Sequence, residues 1–341
     1  TAYTLLPRGI EWAASGLALG MLLGEFVGLC TICVQYKLQK IKKPSQQEKR
    51  PKTLDTMKEL FRLSSPVTVG RLLASGLSTI DAMLIPQRLQ VAGYTAREAT
   101  TLFGQLGGAA FTLLNFPSVF TLALATSLVP AISEAAAKKQ HQTVILRSAQ
   151  SLRLTIFIGV PSLIVLFFFA EPLSALFKSE STSHILKMLA LGGIFSYLQQ
   201  TSTGILQGLG KVQLPVLNSI IAAAVRLPVL YFLTASPQWG LKGTALAYII
   251  GFAISSLLNI ASIIYLTGMP MDLRGFLLQP FMGGMGMLLI LYFLHPWLNS
   301  HPLAFLGEAI IGALTYFMIM YFNGGVNRDD LRRIPWIGRL F

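Results

Sequence analysis

The sequence is poor in charged residues, and this shortage is the first indication of its class. Charged residues make up 12% of the 341 positions, whereas hydrophobic residues make up 53%. Soluble globular domains contain about 25% charged residues, so this chain has too little polar surface for a water-soluble fold. The composition therefore predicts an integral membrane protein rather than a soluble enzyme.

Residue types that support redox or metal chemistry are also scarce. The chain has two cysteines, Cys30 and Cys33, and four histidines. A C-x-x-C spacing can be a redox motif, but both thiols lie inside an apolar stretch and are interpreted as part of a membrane helix. The histidines lack a metal-binding spacing, and the sequence contains no nucleotide-binding loop. We therefore predict that the chain is not an enzyme and binds no cofactor.

Long hydrophobic stretches make up most of the remaining sequence. A helix needs about 20 apolar residues to cross a membrane, and a helix satisfies its own backbone hydrogen bonds there. The sequence predicts an all-α, polytopic bundle of about nine transmembrane helices. The expected spans are Ile10–Tyr36, Leu60–Ile85, Thr101–Ile132, Ser148–Phe169, Ile185–Leu209, Leu214–Leu233, Leu241–Leu266, Phe276–Leu294 and Leu303–Phe322.

The chain nevertheless has a formal net charge of +13. Its basic residues cluster at the ends of apolar stretches, which is typical of membrane topology, so we expect no nucleic-acid partner. The longest connection, residues 37–59, is rich in lysine and is interpreted as a cytoplasmic linker. Alternation of the spans from there predicts a cytoplasmic C-terminus in the cell membrane. Residues 324–341 mix basic and apolar side chains, which favours either an interfacial tail on anionic lipid or a frayed one.

Polar residues within the second span are candidates for function, because a charge in mid-membrane costs at least about 2.5–3.5 kcal/mol. Arg71, Ser75, Ser78 and Asp81 share one face at about 100° per residue. Arg71 and Asp81 are ten residues apart, or about 15 Å along a helix, so they cannot pair directly. Each needs water, a ligand or a neighbouring helix, and a structural ion pair with such a helix remains an alternative.

The fifth and sixth spans have similar polar faces. The residues on the polar face of the fifth span are Ser196, Gln199, Gln200, Thr203 and Gln207. These groups suit a hydroxyl-rich ligand or a hydrated path, but interhelical hydrogen bonds would explain them equally well. In the sixth span, Asn218 and Arg226 share a face, and Arg226 lies too deep to reach the interface. In the first span, Glu25 is either a protonated carboxyl buried between helices or a proton-coupling group.

Three residue strings resemble one known family. They are STIDAMLIPQRLQ (Ser78–Gln90), FGQLGGAAFTLLNFPSVFTLALATSLVPAISEA (Phe103–Ala135) and NRDDLRRIPWIG (Asn327–Gly338). They are similar to the stage V sporulation protein B family of polysaccharide exporters. That family belongs to the MATE-like exporter superfamily, with the multidrug antiporters, the oligosaccharide-lipid flippases and the lipid II flippases. The resemblance covers essentially the whole chain.

The resemblance implies an architecture of fourteen helices, arranged as two six-helix lobes and two additional helices. On this plan, residues 1–36 form the last helix of the N-terminal lobe and residues 37–59 the linker between lobes. Residues 60–268 form the six-helix C-terminal lobe, and residues 269–323 form the additional pair. Five helices would then precede Thr1, so we expect the chain to be N-terminally incomplete.

The resemblance also implies a function, which is flipping of an undecaprenyl-pyrophosphate-linked sugar or peptidoglycan precursor by alternating access in cell-wall or spore-cortex synthesis. In lipid II flippases, arginines of a central cavity are thought to receive the pyrophosphate, and Arg71 and Arg226 are the best candidates here. By this analogy Asp81 would hold an arginine and Arg88 would guide release. Two alternatives remain, namely a cation-coupled multidrug antiporter and a non-transporting scaffold for cell-wall synthases. An antiporter would be expected to have an acidic cavity.

Overall fold

A computed structural model describes residues 10–38, 53–177, 182–298 and 304–325, and the secondary structure of these residues is helical throughout. The chain divides into two compact units, Thr1–Glu59 and Leu60–Phe341. Helix α1 (Ile10–Leu38) belongs to the first unit. Helix α2 (Thr53–Val91) begins in the first unit and continues into the second. The predicted linker is therefore shorter than residues 37–59, because the helix has already begun at Thr53.

The described residues of the second unit form ten further helices. Two short π-helical segments, Leu106–Ala110 and Arg274–Leu278, precede α4 and α11. The helices are α3 (Ala96–Gln105), α4 (Phe111–Asn115), α5 (Ser118–Ala137), α6 (His141–Phe168), α7 (Ala170–Ala175), α8 (Thr182–Gly208), α9 (Gln213–Thr234), α10 (Gly240–Thr267), α11 (Gln279–Leu298) and α12 (Ala304–Phe322).

Eight helices in the described part of the chain are long and apolar enough to cross a membrane. The all-α, multi-pass architecture predicted from the sequence is thus confirmed. The fifth predicted span, Ile185–Leu209, forms helix α8 but is not among the eight. Its glutamines, serines and threonines lower its hydropathy, and α5, α6 and α10 all pack against it. Because other helices surround α8, it does not need an apolar face toward lipid.

The structure corrects the third predicted span, Thr101–Ile132. This stretch is not one helix, since it contains α3, a π-helical segment, α4 and a turn before α5 begins at Ser118. The turn lies at Phe116 and Pro117. Proline has no amide hydrogen to donate to the preceding turn of a helix, which explains the interruption. The predicted interfacial tail lies mostly in residues 326–341, outside the described residues.

Helix ends within the second unit have local causes. Helix α3 begins after Thr95, whose hydroxyl accepts a hydrogen bond from the Glu98 amide at 3.3 Å. The Glu98 carboxylate in turn accepts one from the Thr95 amide at 2.9 Å, which completes a capping box. The Thr95 amide and the Thr95 hydroxyl both donate to the Glu98 carboxylate, which lowers the pKa of this exposed carboxyl. At the C-terminal end of α10, Gly268 adopts φ +63° and terminates the helix, as glycine commonly does in this left-handed conformation.

Hydrogen bonds tie α8 to helices that precede it in the chain. The Gln200 side chain accepts a hydrogen bond from Thr121 of α5 at 2.9 Å. The Thr201 hydroxyl lies 2.7 Å from that of Thr155 on α6, and Tyr197 donates to the Leu114 carbonyl of α4 at 2.7 Å. A Cβ atom on Gly204 would lie 2.9 Å from the Ala125 Cβ, so glycine allows α5 and α8 to approach closely.

The last two helices form a pair at one side of this bundle. Helices α11 and α12 pack against each other and against α6. Their shared core contains Met287 and Leu291 of α11 and Tyr316 and Met320 of α12, all fully buried. This pair corresponds to the two predicted spans at Phe276–Leu294 and Leu303–Phe322.

Candidate functional site

A cavity of about 680 Å³ lies between α2, α8, α9 and α10 of the second unit. Its volume is within the range of about 300–1,000 Å³ that is usual for ligand pockets. The wall combines apolar side chains with polar groups from all four helices. The polar lining residues are Arg71, Ser78, Asp81, Gln199, Thr203, Gln207, Ser219, Arg226 and Tyr248. The cavity is therefore lined by both polar and apolar groups, within an otherwise apolar bundle.

Arg226 and Asp81 form a buried ion pair in the wall of this cavity. Nη1 of Arg226 donates to Oδ1 of Asp81 at 3.0 Å and to Oδ2 at 2.9 Å. Both side chains are more than nine-tenths buried. Burial of one charge alone would be costly, and the opposite charge with its hydrogen bonds offsets that cost. The sequence left open whether Asp81 forms a structural ion pair with a neighbouring helix. It does so, with Arg226 of α9.

Tyr248 of α10 contacts both members of this ion pair. Its hydroxyl donates a hydrogen bond to Oδ2 of Asp81 at 2.8 Å. The guanidinium carbon of Arg226 lies 4.7 Å from the centre of the Tyr248 ring, which is close enough for a cation–π contact. The Phe111 ring packs edge-on against Tyr248, with ring centroids 4.8 Å apart, and so restricts the tyrosine.

Gly251, one turn after Tyr248, makes room for the arginine. A Cβ atom at this position would lie 2.8 Å from Cδ of Arg226. Any larger residue would therefore push against the aliphatic part of the Arg226 side chain. Tyr248 and Gly251 together give Arg226 a fitted position against α10.

Arg71 lines the same cavity but has different surroundings. Its side chain is exposed, and it forms no hydrogen bond or ion pair with any residue that the structure describes. A guanidinium group is permanently charged and offers several donors in a planar arrangement. Arg71 therefore leaves an uncompensated positive charge at the cavity wall.

The polar face of α8 is divided between the cavity and the helix contacts. Gln199, Thr203 and Gln207 line the cavity. Gln199 donates to the Ser255 hydroxyl at 2.9 Å, and the Thr203 hydroxyl accepts from Asn259 at 3.2 Å. Both interpretations of this face thus apply, because the same helix supplies lining groups and interhelical hydrogen bonds.

Several predicted site residues do not line the cavity. Gln200 accepts a hydrogen bond from Thr121 of α5, and Ser75 is exposed on α2. Asn218 is buried and donates to Oδ1 of Asn259 at 2.8 Å. The side chains of Gln200 and Asn218 are thus occupied in holding helices together.

Two further candidates lie elsewhere. The guanidinium carbon of Arg88 lies 4.1 Å from the centre of the Tyr231 ring, two turns beyond Asp81 on α2. Glu25 is an exposed residue of α1 in the first unit, and both alternatives for this position stay predictions.

Sequence reasoning missed Tyr248 and Gly251. Both lie in α10, whose predicted span carries Ser255, Asn259 and Ser262 at helical spacing, a polar face that the sequence analysis did not follow. Ser219 was detectable, because it shares the polar face of α9 with Asn218 and Arg226. The role of Tyr248 depends on its three-dimensional neighbours Asp81 and Arg226, which no periodicity within α10 indicates.

Comparisons with known proteins agree with this architecture. The MatE family model matches residues 107–232. The chain is 31% identical to stage V sporulation protein B of Bacillus subtilis (strain 168), over 98% of this chain and 66% of that protein. It is 27% identical to sporulation protein YkvU of the same organism, over 76% of this chain and 61% of that protein.

A solved structure has the same fold. The lipid II flippase MurJ, in an inward closed conformation, matches with a TM-score of 0.59 at 18% sequence identity. The match covers 94% of this chain and 63% of that one.

The helical bundle and these matches define a multi-pass membrane protein with a MATE-like fold. Within that class, the chain is similar to the stage V sporulation protein B family, so the resemblance predicted from the residue strings is confirmed. It spans just under two thirds of the length of these relatives, between 61% and 66%.

Proposed function

We propose that the chain is part of a transporter that flips a lipid-linked sugar across the cell membrane by alternating access. The observation that carries this proposal is the exposed guanidinium of Arg71, which faces a cavity inside the helical bundle. Guanidinium groups bind phosphate in a bidentate manner. An undecaprenyl-pyrophosphate carrier would supply such a phosphate, and its sugar would be a peptidoglycan precursor or a related polysaccharide unit.

The other lining groups support the sugar part of this substrate. Gln199, Thr203 and Gln207 follow one face of α8 along the cavity. Amide and hydroxyl groups can donate and accept hydrogen bonds, which suits a hydroxyl-rich molecule. The names of two relatives, a lipid II flippase and a sporulation protein, are in keeping with a role in cell-wall or spore-cortex synthesis.

The charge of the cavity weighs against the multidrug antiporter. An organic cation would need an available carboxylate, but both oxygens of Asp81 accept hydrogen bonds from Arg226 and one also accepts from Tyr248. The remaining charge belongs to Arg71 and is positive, which favours an anionic substrate. A scaffold for cell-wall synthases would not require such a group in a cavity, so it explains less of what is observed.

The test is a flipping assay with the full-length protein in lipid vesicles, using a fluorescent undecaprenyl-pyrophosphate sugar. We expect Arg71→Ala to slow flipping about tenfold or more, because a hydrogen bond to a charged group contributes about 1.5–3 kcal/mol. Arg97→Ala is the matched control, since Arg97 is an exposed arginine of α3 outside the cavity. Equal flipping by Arg71→Ala and the unaltered protein would refute the proposal.

We further propose the topology and domain plan that the basic residues suggest. In this plan the C-terminus is cytoplasmic, residues 60–268 form the C-terminal lobe and residues 269–323 the additional pair. The MatE match to residues 107–232 lies inside the proposed lobe. We would introduce Lys139→Cys into a protein whose Cys30 and Cys33 are replaced. Its thiol should react with a membrane-impermeant thiol reagent only when the reagent is added on the cytoplasmic side. Reaction with reagent added outside the cell would show that the topology is the reverse of the one proposed.

A further inference from the structure

We propose that Asp81 and Tyr248 at first keep Arg226 from binding the substrate. The anionic group of the substrate then binds first at Arg71 and reaches Arg226 only by displacing Asp81. This inference rests on the proposed function and concerns the order of events within the same cavity. It gives the two arginines different roles, although the sequence suggested one role for both.

The first argument is that the two arginines lie at different levels of the cavity. Two contacts indicate that helices α2 and α9 run in the same direction. A Cβ atom on Gly70 would lie 2.9 Å from Cγ2 of Val216, while Asp81 further along α2 contacts Arg226 further along α9. The backbone positions of Arg71 and Asp81 are about 15 Å apart along a helix. An anion bound at Arg71 is therefore not also in contact with Arg226 while Arg226 remains on Asp81.

The second argument is that polar groups connect the two levels. On α9, Asn218 follows Val216 and is bonded to Asn259, which is bonded to Thr203. This places Thr203 near the level of Arg71. Gln199 lies one turn before Thr203 on α8 and bonds to Ser255 of α10. Ser255 lies one turn before Asn259 and is therefore closer to the level of Tyr248. A sugar head group would thus find amide and hydroxyl groups between the level of Arg71 and that of Arg226.

The third argument concerns what Arg226 is bound to. Both carboxylate oxygens of Asp81 accept from its guanidinium, and carboxylate and phosphate are alternative partners for the same donors. A phosphate can therefore replace Asp81 only by competing with it. When Arg226 leaves, the Tyr248 hydroxyl still donates to Oδ2 of Asp81. Tyr248 is thus a positioning residue that stabilises the carboxylate after the exchange as well as before it.

The exchange would take place next to a buried apolar cluster. Ile85 and Leu89 of α2 and Leu230 of α9 lie one or two turns beyond the ion pair, and each is 0% exposed. Separating Asp81 from Arg226 would remove the ion pair that joins α2 and α9 beside this cluster. Arrival of the anion at Arg226 is in this way linked to the helices that would have to part for release.

The experiment measures binding of inorganic pyrophosphate to the full-length protein in detergent, by calorimetry, together with flipping in vesicles. Asp81→Asn keeps the shape of the side chain but removes the competing charge, so we expect the pyrophosphate affinity to rise about tenfold. Adding Arg226→Gln to Asp81→Asn should return the affinity to that of the unaltered protein. An unchanged affinity in Asp81→Asn, or a gain that persists without Arg226, would overturn the inference.

Tyr248→Phe separates a positioning role from a binding role without changing the net charge. We expect the affinity for pyrophosphate to stay within about twofold while flipping slows about tenfold, since the lost hydrogen bond stabilises Asp81 rather than the anion. The control is Tyr265→Phe, because Tyr265 is on the same helix and 89% exposed. Loss of affinity equal to the loss of flipping in Tyr248→Phe would contradict the proposed role.

The two readouts distinguish this inference from the proposed function. Tighter pyrophosphate binding by Asp81→Asn in a protein that flips no lipid-linked sugar would leave the inference standing and refute the function. Flipping that depends on Arg71, without any effect of Asp81→Asn on affinity, would refute only the inference. Melting temperatures of all variants in detergent confirm that each one is folded.

Discussion

Arg71 and Arg226 line one cavity, but the protein surrounds them differently. Arg226 is more than nine-tenths buried, bonded twice to Asp81 and placed over the Tyr248 ring. Arg71 is exposed and has no partner in the described ranges of the chain. Arg226 is thus part of the folded structure, whereas Arg71 is available to a ligand that enters the cavity. Residue type and helical position alone did not distinguish them.

The strongest way to test this contrast is to remove each arginine separately. We expect Arg226→Ala to destabilise the protein by about 3–5 kcal/mol, because it leaves the buried Asp81 charge uncompensated. Arg71→Ala should change stability by about 0.5 kcal/mol or less, as is usual for an exposed side chain. Denaturation in detergent, followed by loss of helical circular dichroism, measures both.

A double variant checks the cause of that destabilisation. Replacing both partners, as Asp81→Leu with Arg226→Met, removes the unpaired charge and should recover most of the lost stability. If the double variant were no more stable than Arg226→Ala alone, lost packing rather than an unpaired charge would be responsible.

A smaller effect is expected from the fitted position of Arg226 on α10. Gly251→Ala introduces a Cβ atom 2.8 Å from Cδ of Arg226, and overpacking of this kind typically costs about 1–3 kcal/mol. Gly76→Ala is the control, since no heavy atom lies within 4 Å of its added Cβ. Equal stability of the two variants, measured by the same denaturation experiment, would mean that Arg226 moves freely.

The smallest effect should come from the hydrogen bonds at the level of Arg71. Asn259→Ala removes the hydrogen bonds that Asn259 itself forms with Asn218 and Thr203. Interhelical hydrogen bonds in membrane proteins average about 0.6 kcal/mol each, so we expect a loss of about 1 kcal/mol. Thr79→Ala, which removes only a hydrogen bond within α2, should change stability less. A loss larger than that of Gly251→Ala would reverse the order of importance proposed here.

Much of the bundle and seven of the nine polar residues that line the cavity could be predicted from the sequence. Hydropathy identified the spans that face lipid, and the helical period identified the polar faces of α2, α8 and α9. The period alone could not say which neighbour each polar group meets. Gln199 and Gln200 are adjacent on one predicted face, yet one lines the cavity and the other bonds to α5.

The remaining differences have physical causes that a one-dimensional pattern does not contain. The polar residues of helix α8 make its hydropathy lower than that of the eight apolar helices. Such residues are possible there because protein, rather than lipid, surrounds the helix. Tyr248 has a site role only because α10 packs beside α2 and α9. The interruption before Ser118 follows from Pro117, a residue that can also occur within bent membrane helices, so its effect depends on the neighbouring helices.

The enclosure of α8 has a consequence for how the protein enters the membrane. A helix with many polar groups gains little from hydrocarbon alone, and those groups are costly in lipid unless they find partners. The partners of Tyr197, Gln200 and Thr201 are Leu114, Thr121 and Thr155, all of which are synthesised before α8. When α8 leaves the ribosome, the helices that can accept it are thus already available, and the order of translation supports its insertion.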